Sequence, residues 1–281
     1  MGLVIWRGFN ISVPDEWEIL QFSKNFEIGS LLFADRYSFR FEFNWNRLSG
    51  KPYMEKIVED YLLDLVNNKR IKNEKRITLY DWKGFEGIVD GILTSRFGKW
   101  FEKESCMIEG VFLWDLKRDL DTEENVLTSI STDDIFNKRR WKAFGIDLVT
   151  EKDAKLVLCD VKPAYCKMVF KSKKCEETFE RFGLVNFWLK EDYGKWSKKR
   201  IPQGFTVKKT SEKKLNDHSV KYIFAEGYRK FRRLSYQSQT WLCPEDKRLY
   251  NLIITKKYSK SFEEDSFYQK ILCCNKMEIK I

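Results

Sequence analysis

The sequence predicts an α+β fold arranged as two tandem related domains, each an antiparallel β-sheet packed with helices. An internal repeat is the first observation, because WRGF at residues 6–9 returns as WKAF at residues 141–144, displaced by 135 positions. A following apolar stretch, SLLF at residues 30–33, returns as KMVF at residues 167–170, displaced by 137. Self-similarity at a nearly constant displacement indicates a duplicated structural unit with a two-residue insertion in the second copy.

Strands and one helix open each copy. In YSFRFEFNW (37–45) and EETFERF (176–182), apolar and polar residues alternate, as they do on a half-buried strand. The stretch KPYMEKIVEDYLLDLVNN (51–68) then predicts a helix, because its apolar residues follow the i, i+3, i+4, i+7 spacing of one helical face. Its counterpart, LVNFWLKEDYGKW (184–196), is shorter and contains Gly194, which predicts a reduced helix.

A strand meander and a short closing helix are predicted to complete each copy. The meander strands are FEGIVDGILTSRF (85–97) and SCMIEGVFLWDL (105–116) in the first copy, and VKYIFAEGYRKF (220–231), LSYQSQTWLC (234–243) and LYNLIIT (249–255) in the second. Gly84, Gly87 and Gly91 stand in a strand pattern, which predicts bulges or close backbone approach. The closing helices are EENVLTSI (123–130) and SFYQKILCC (266–274). The polar run at residues 131–140 separates the copies, so the predicted domains are residues 1–136 and 137–281.

A resemblance to a known family rests on FNISVPDEWEI (9–19), an apolar strand that enters VPxxW and leaves by another strand. With the helix, the meander and the closing segment, it resembles the PsbP and Mog fold of Ran-binding and photosystem-associated proteins. The second copy departs from the motif, with Thr150 and Asp153 in place of Pro14 and Trp17. The repeated tryptophan motif, together with WLCPEDKRLY (241–250), is also similar to uncharacterised prokaryotic proteins without an assigned activity. The resemblance implies a binding or assembly protein, although a fold does not fix a function.

Residues suited to catalysis or metal binding are few. His218 is the single histidine and lies in the polar stretch KKLNDHSVKY (213–222), which predicts an exposed loop imidazole rather than a member of a nucleophile pair. Cys273 and Cys274 lie in the predicted closing helix and are interpreted as small buried hydrophobes. Cysteines on predicted strands lie seven and nine residues apart, without the short fixed spacings of a zinc site: Cys159, Cys166 and Cys175. We therefore predict no catalytic residue, no metal site and no cofactor.

Other chemical motifs are equally sparse. Neither GxxxxGK[ST] nor GxGxxG occurs, so no phosphate-binding loop is predicted. The acidic run WDLKRDLDTEE (114–124) could ligate a divalent cation, but it lacks the glycine-centred spacing of a calcium loop and is interpreted as a solvated turn.

Net charge separates the two halves. Residues 141–281 hold 31 Lys and Arg against 18 Asp and Glu, a formal charge of +13, whereas residues 1–140 hold 21 against 24, a charge of −3. The excess gathers at KWSKKR (195–200), VKKTSEKK (207–214) and YRKFRR (228–233), where aromatic residues are interleaved. The candidate basic-surface residues are Lys198, Lys199, Arg200, Arg229, Lys230, Arg232 and Arg233. Strand alternation predicts Arg229 and Phe231 on one face and Lys230 and Arg232 on the other.

Three functional hypotheses follow. The first is a non-enzymatic interaction protein whose basic second copy recognises an acidic surface, on a partner protein or on its own acidic first copy. The second is nucleic-acid binding through the same basic copy, since Lys and Arg neutralise phosphates and aromatic rings stack on unpaired bases. The third is an enzyme with its site between the two copies, which would need carboxylates of raised pKa in a large polar pocket.

The expected location is the cytoplasm. The longest apolar runs fall far short of the roughly 20 residues that a membrane span needs, so no membrane association is predicted. The start of the sequence lacks the basic and apolar segments of a signal peptide. Seven cysteines without a CxxC pair fit reduced thiols better than a disulfide framework.

Overall fold

The computed structural model describes residues 1–132, 137–215, 217–229, 231–258 and 270–274. The chain divides into two compact units. The first unit comprises Met1–Val4 and Phe9–Thr132, and the second comprises Ile5–Gly8 and Asp133–Ile281. The predicted domain boundary after residue 136 adjoins residues 133–136, which lie outside the described part of the chain, so that boundary stays a prediction.

Antiparallel strands make up most of both units. In chain order, the elements up to residue 132 are β1 (Gly2–Trp6), β2 (Phe9–Val13), β3 (Glu18–Phe22), β4 (Ile28–Ala34), β5 (Phe39–Arg47), α1 (Met54–Asn67), β6 (Ile71–Leu79), β7 (Trp82–Val89), β8 (Ile92–Phe101), β9 (Cys106–Trp114), α2 (Leu120–Ser129) and β10 (Ser131–Thr132). Those that follow are β11 (Lys138–Ala143), β12 (Ile146–Glu151), β13 (Lys155–Lys162), β14 (Tyr165–Lys171), β15 (Cys175–Phe182), α3 (Val185–Trp188), α4 (Tyr193–Lys199), β16 (Phe205–Leu215), β17 (His218–Arg229), β18 (Arg232–Leu242), β19 (Leu249–Lys257) and β20 (Ile271–Leu272).

The predicted α+β fold of PsbP and Mog type is wrong, because the described chain is mainly antiparallel β-sheet. Two long strands, β6 and β16, were not predicted, since both are rich in charged residues and show no apolar alternation. The second closing helix is also wrong where it can be compared, because Ile271 and Leu272 pair with β12 as a strand. The rest of that predicted helix, residues 266–269, lies outside the described residues.

The first unit is organised around a seven-stranded antiparallel sheet with the order β3-β4-β5-β9-β8-β7-β6. Its core is aromatic: Phe41 lies opposite Phe112 on β5 and β9, and their stacked rings are 4.6 Å apart. Burial of each such ring contributes about 1.5–3 kcal/mol. A Cβ atom at Gly84 would lie 1.9 Å from the carbonyl oxygen of Arg96, which confirms the close backbone approach predicted at that glycine.

The second unit contains a seven-stranded antiparallel sheet with the order β13-β14-β15-β19-β18-β17-β16. When the seven strands of each sheet are numbered along the chain, both sheets have the same strand order. Such a shared order is expected from a duplicated sequence. The second unit also includes β11, β12 and β20, and Ile5 of β1 pairs with Lys142 of β11. In the same unit the ring of Trp6 packs edge-on against Trp141, its counterpart in the sequence repeat, at 5.3 Å.

Three of the four predicted helices are present in the described structure. The helix predicted over residues 51–68 is confirmed as α1, which buries Leu65 against Ile71 and Phe85. The first closing helix is confirmed as α2, whose N-terminus is capped by the Asp119 carboxylate accepting the Thr122 N–H at 3.0 Å. The reduced helix of the second copy is confirmed as two short helices, α3 and α4.

Candidate functional site

The first group of predicted basic residues lies at the end of α4. This helix begins after Asp192, whose carboxylate accepts the N–H of Gly194 at 2.9 Å and caps the helix. Lys198 is exposed, and the Lys199 ammonium pairs with the Glu191 carboxylate at 2.8 Å. The α4 lysines therefore lie at the surface, one of them already neutralised.

Arg200 has a different environment from its neighbours on α4. Its guanidinium donates to both carboxylate oxygens of the buried Glu180, at 2.6 and 2.7 Å, and lies over the ring of Trp196 at 4.6 Å. Glu180 is 1% exposed and also accepts from the Asn251 amide at 2.8 Å. Because a buried carboxylate requires a charged or hydrogen-bonded partner, Arg200 stabilises the second unit by pairing with Glu180 from the surface, where the Arg200 side chain is 35% exposed.

The second group of predicted residues lies at the hairpin between β17 and β18. Arg229 and Arg232 lie directly opposite each other in this strand pair, so their side chains share one face of the sheet. The prediction that Arg229 and Arg232 lie on opposite faces is wrong, because a turn separates them. Arg233 pairs with Glu226 at 2.7 Å and lies 3.7 Å from the ring centre of Tyr258. Lys230 lies outside the described residues.

A basic cleft of 590 Å³ lies beside this hairpin, at one end of the strands of the second unit's sheet. Here β14, β19 and β17 end and β15 and β18 begin, and the strand order brings these ends side by side. Among the described residues that line the cleft, Glu176 supplies the one carboxylate and seven residues are cationic: Lys171, Lys173, Lys174, Arg229, Arg232, Lys256 and Lys257. Only Arg229 and Arg232 among them belong to the residues predicted from sequence.

The positive charge of the basic cleft is not neutralised within the described part of the chain, where none of the seven cations forms an ion pair. Like charges directly opposite on neighbouring strands are destabilising, and Arg229 and Arg232 have this arrangement. A concave surface lined by charges of one sign attracts ligands of the other sign. The cleft is therefore suited to bind carboxylates or phosphates.

An exposed aromatic side chain stands at the tip of the same hairpin. Phe231 has a φ of 64°, a left-handed backbone conformation that is uncommon for bulky residues. Its side chain is fully exposed, with a relative accessibility of 104%, and Tyr228 is 66% exposed. Aromatic and arginine side chains contribute most of the binding energy in many protein interfaces. The hairpin presents both types beside the basic cleft.

A cluster of one histidine and three cysteines lies elsewhere in the second unit. His218 begins β17, Cys243 follows β18, and Cys273 and Cys274 follow β20. Their nitrogen and sulfur atoms all lie within 4.8 Å of one another, a geometry that could hold a metal ion. The His218 Nε2 atom is 3.2 Å from the Cys273 sulfur and 3.6 Å from the Cys274 sulfur. We call these four residues the His–Cys cluster.

The environment of the His–Cys cluster contradicts two sequence interpretations. His218 is 1% exposed, so the prediction of an exposed loop imidazole is wrong. Cys273 and Cys274 do not lie in a helix, because they follow the strand β20. Burial raises the pKa of the thiols of Cys243 and Cys273 above the ordinary cysteine value. These thiols would stay protonated at neutral pH without a positive charge beside them.

The acidic run at residues 114–124 also differs from the expected solvated turn. Glu123 is 1% exposed and accepts hydrogen bonds from Ser95 Oγ at 2.6 Å and from Trp114 Nε1 at 2.7 Å. Its carboxylate pairs with Arg118, which also pairs with Glu86. Glu123 therefore joins α2 to β8 and β9 inside the first unit, and this residue of the run is structural.

Comparisons with known proteins show no family for this chain. No family model matches it, and no curated protein matches it. Three solved structures are similar over most of their length. The first is the immunity protein TplEi of the T6SS from Pseudomonas aeruginosa in its apo form, with 11% identity and a TM-score of 0.36, covering 94% of this chain and 92% of that chain. The second is the same protein complexed with "L" peptide, with 7% identity and a TM-score of 0.35, covering 89% of this chain and 92% of that chain. The third is the Tle4-Tli4 complex, with 8% identity and a TM-score of 0.34, covering 89% of each chain.

All three TM-scores lie below 0.5, and these likenesses assign no function to this chain. Among the described residues, no helix is both long and apolar enough to span a membrane.

Proposed function

We propose that the protein is a non-enzymatic binding protein whose second unit recognises an acidic surface on a partner protein through the basic cleft. The observation that carries this proposal is a concave surface lined by seven cations, none of which forms an ion pair with another described residue. A partner that presents several carboxylates would neutralise this charge, and arginine can bind a carboxylate through two parallel hydrogen bonds. Electrostatic complementarity of this kind accelerates association and selects the partner.

The composition of the site favours a protein partner over nucleic acid. Several cations of the predicted basic surface are already paired inside the second unit, namely Lys199, Arg200 and Arg233. We infer that the cations that line the cleft form one compact patch, which suits a cluster of carboxylates better than an extended nucleic-acid backbone. Phe231 and Tyr228 beside the cleft provide exposed aromatic surface of the kind that anchors protein interfaces.

Nucleic-acid binding is the second candidate function, and the same cleft favours it to a lesser degree. Phosphates would bind Arg229 and Arg232, and an unpaired base could stack on Phe231. The two candidate functions predict different ligand preferences. If the protein binds nucleic acid, DNA should bind more tightly than an acidic peptide at the same salt concentration. The hypothesis of an enzyme with a site between the two copies stays a prediction.

The proposal is tested with a fluorescein-labelled octaglutamate peptide and with labelled single-stranded and duplex DNA. Binding is followed by fluorescence anisotropy from about 50 to 500 mM salt, a range over which phosphate contacts weaken strongly. We expect the Arg229→Ala/Arg232→Ala variant to bind octaglutamate about tenfold more weakly, because two surface ion pairs of up to about 1 kcal/mol each are lost.

The matched control removes the same charge outside the cleft, in the Lys155→Ala/Lys208→Ala variant, whose two lysines are exposed on β13 and β16. This control should bind octaglutamate like the unchanged protein. Equal losses in the two variants would mean that net charge alone, and not the cleft, attracts the peptide. Tighter binding of DNA than of octaglutamate at every salt concentration would replace the first candidate with the second.

We further propose a cytoplasmic location. The seven cysteines are an odd number without a CxxC pair, which fits reduced thiols better than a disulfide framework. Cys243, Cys273 and Cys274 also lie close together. Closely spaced thiols persist in reducing compartments and oxidise readily elsewhere.

A further inference from the structure

The His–Cys cluster has the composition of a closed metal site. It offers one imidazole nitrogen and three thiol sulfurs, the Cys₃His set found in structural zinc sites. Its members come from three separate segments of the second unit: the start of β17, the residue after β18, and the two residues after β20. Four ligands complete the tetrahedral coordination of zinc and leave no position for a reacting molecule.

The distances within the cluster fit tetrahedral coordination. With Zn–S bonds of about 2.3 Å and Zn–N bonds of about 2.0 Å, neighbouring ligand atoms lie roughly 3.5–3.8 Å apart. The His218 Nε2 atom lies 3.2 Å from the Cys273 sulfur and 3.6 Å from the Cys274 sulfur, close to that separation. All four ligand atoms lie within 4.8 Å of one another. The separation of any two ligand atoms would have to shorten by about 1 Å at most to reach tetrahedral geometry.

A hydrogen bond to sulfur provides a second, independent observation. The Trp241 indole nitrogen lies 3.3 Å from the Cys273 sulfur and donates to it. N–H groups directed at sulfur stabilise the thiolate form, and such outer-shell donors are a regular feature of metal sites. The Cys273 sulfur thus has a donor in place for negative charge.

From the ligand set, the distances and the Trp241 donor, we propose that His218, Cys243, Cys273 and Cys274 bind one zinc ion that has a structural role. Tetrahedral sulfur-rich sites select zinc over the harder divalent cations. The ion would connect the end of the β17–β18 hairpin to the strand β20, which itself pairs with β12. Binding converts thiols into thiolates and releases their protons, so that the buried charge is compensated by the metal.

The test measures zinc in the full-length protein, purified without chelator and under a thiol-free reductant. We expect about one zinc per chain by elemental mass spectrometry. After removal of zinc and titration with Co²⁺, we expect the thiolate-to-cobalt charge-transfer absorption and the d–d bands of a tetrahedral site. The Cys243→Ser and Cys273→Ser variants should bind zinc roughly 100-fold or more weakly, since loss of even an outer-shell partner costs 10–100-fold.

Cys159→Ser is the matched control, because Cys159 belongs to the same unit but lies outside the cluster. It should retain the zinc content and the cobalt spectrum of the unchanged protein. If a cluster variant does not fold, the zinc content and the cobalt spectrum of the unchanged protein still test the proposal. The proposal is overturned if that protein binds neither zinc nor Co²⁺ after reduction, if Cys273 and Cys274 are recovered as a disulfide from reduced preparations, or if both cluster variants keep wild-type affinity.

Discussion

Replacing Glu123 with alanine is expected to lower the free energy of unfolding by roughly 3–5 kcal/mol, the cost of removing one member of a buried ion pair. The Glu123 carboxylate is buried and accepts from Ser95, Trp114 and Arg118. Its loss leaves Ser95 and Trp114 without this acceptor, while Arg118 retains only its pair with Glu86. Equilibrium urea unfolding followed by tryptophan fluorescence measures the effect. The transition midpoint should fall while the slope stays the same.

The matched control is Asp121→Ala, an exposed carboxylate on the same helix. Its effect should stay within about 0.5 kcal/mol, as for most surface substitutions. If Glu123→Ala were no more destabilising than Asp121→Ala, the buried hydrogen-bond network would not contribute to the stability of the first unit.

Replacing Arg200 with alanine is expected to destabilise the second unit by roughly 1–3 kcal/mol, because the buried Glu180 carboxylate loses its charged partner but keeps the hydrogen bonds from Asn251 and Tyr165. Packing of the guanidinium over the rings of Trp196 and Phe182 is lost as well. The measurement is the same urea titration. Lys198→Ala, an exposed lysine of the same helix, is the control and should be nearly neutral.

The Arg200→Ala variant also distinguishes a structural role of Arg200 from a role in binding. Under conditions in which the Arg200→Ala variant remains folded, its affinity for the octaglutamate peptide should equal that of the unchanged protein, since Arg200 does not line the basic cleft. A loss of affinity as large as that of the Arg229→Ala/Arg232→Ala variant would mean that the binding surface extends to α4.

The parts of the fold that were predictable are those with periodic or repeated sequence. Helix α1 has apolar residues at helical spacing, and the repeated opening segments align at a nearly constant displacement. Strands β6 and β16 gave no such signal, because they are the edge strands of their sheets and are rich in charged residues. Charges on edge strands discourage pairing with other molecules, and they also remove the alternation from which a strand is recognised.

The candidate site was predictable only where its residues are close in sequence. The run at residues 228–233 identified Arg229 and Arg232, but Lys171 and Lys256 reach the same cleft from strands that only the strand pairing brings together. The His–Cys cluster has the same origin. His218 and Cys273 are 55 residues apart, so no spacing rule for zinc ligands could have joined them. Predicting that His218 lies close to Cys243 would have required the register of β17 against β18.

The most direct measurement of the central claim is zero-length cross-linking of the octaglutamate peptide to the protein with a carbodiimide, which joins a carboxylate to an amine only where they are in contact. Peptide mapping by mass spectrometry then identifies the linked lysines. We expect the links to concentrate on Lys171, Lys173, Lys174, Lys256 and Lys257, which line the basic cleft, and to disappear at high salt. Links spread over all exposed lysines, or concentrated on Lys155 and Lys208, would contradict the assignment of the basic cleft as the binding surface.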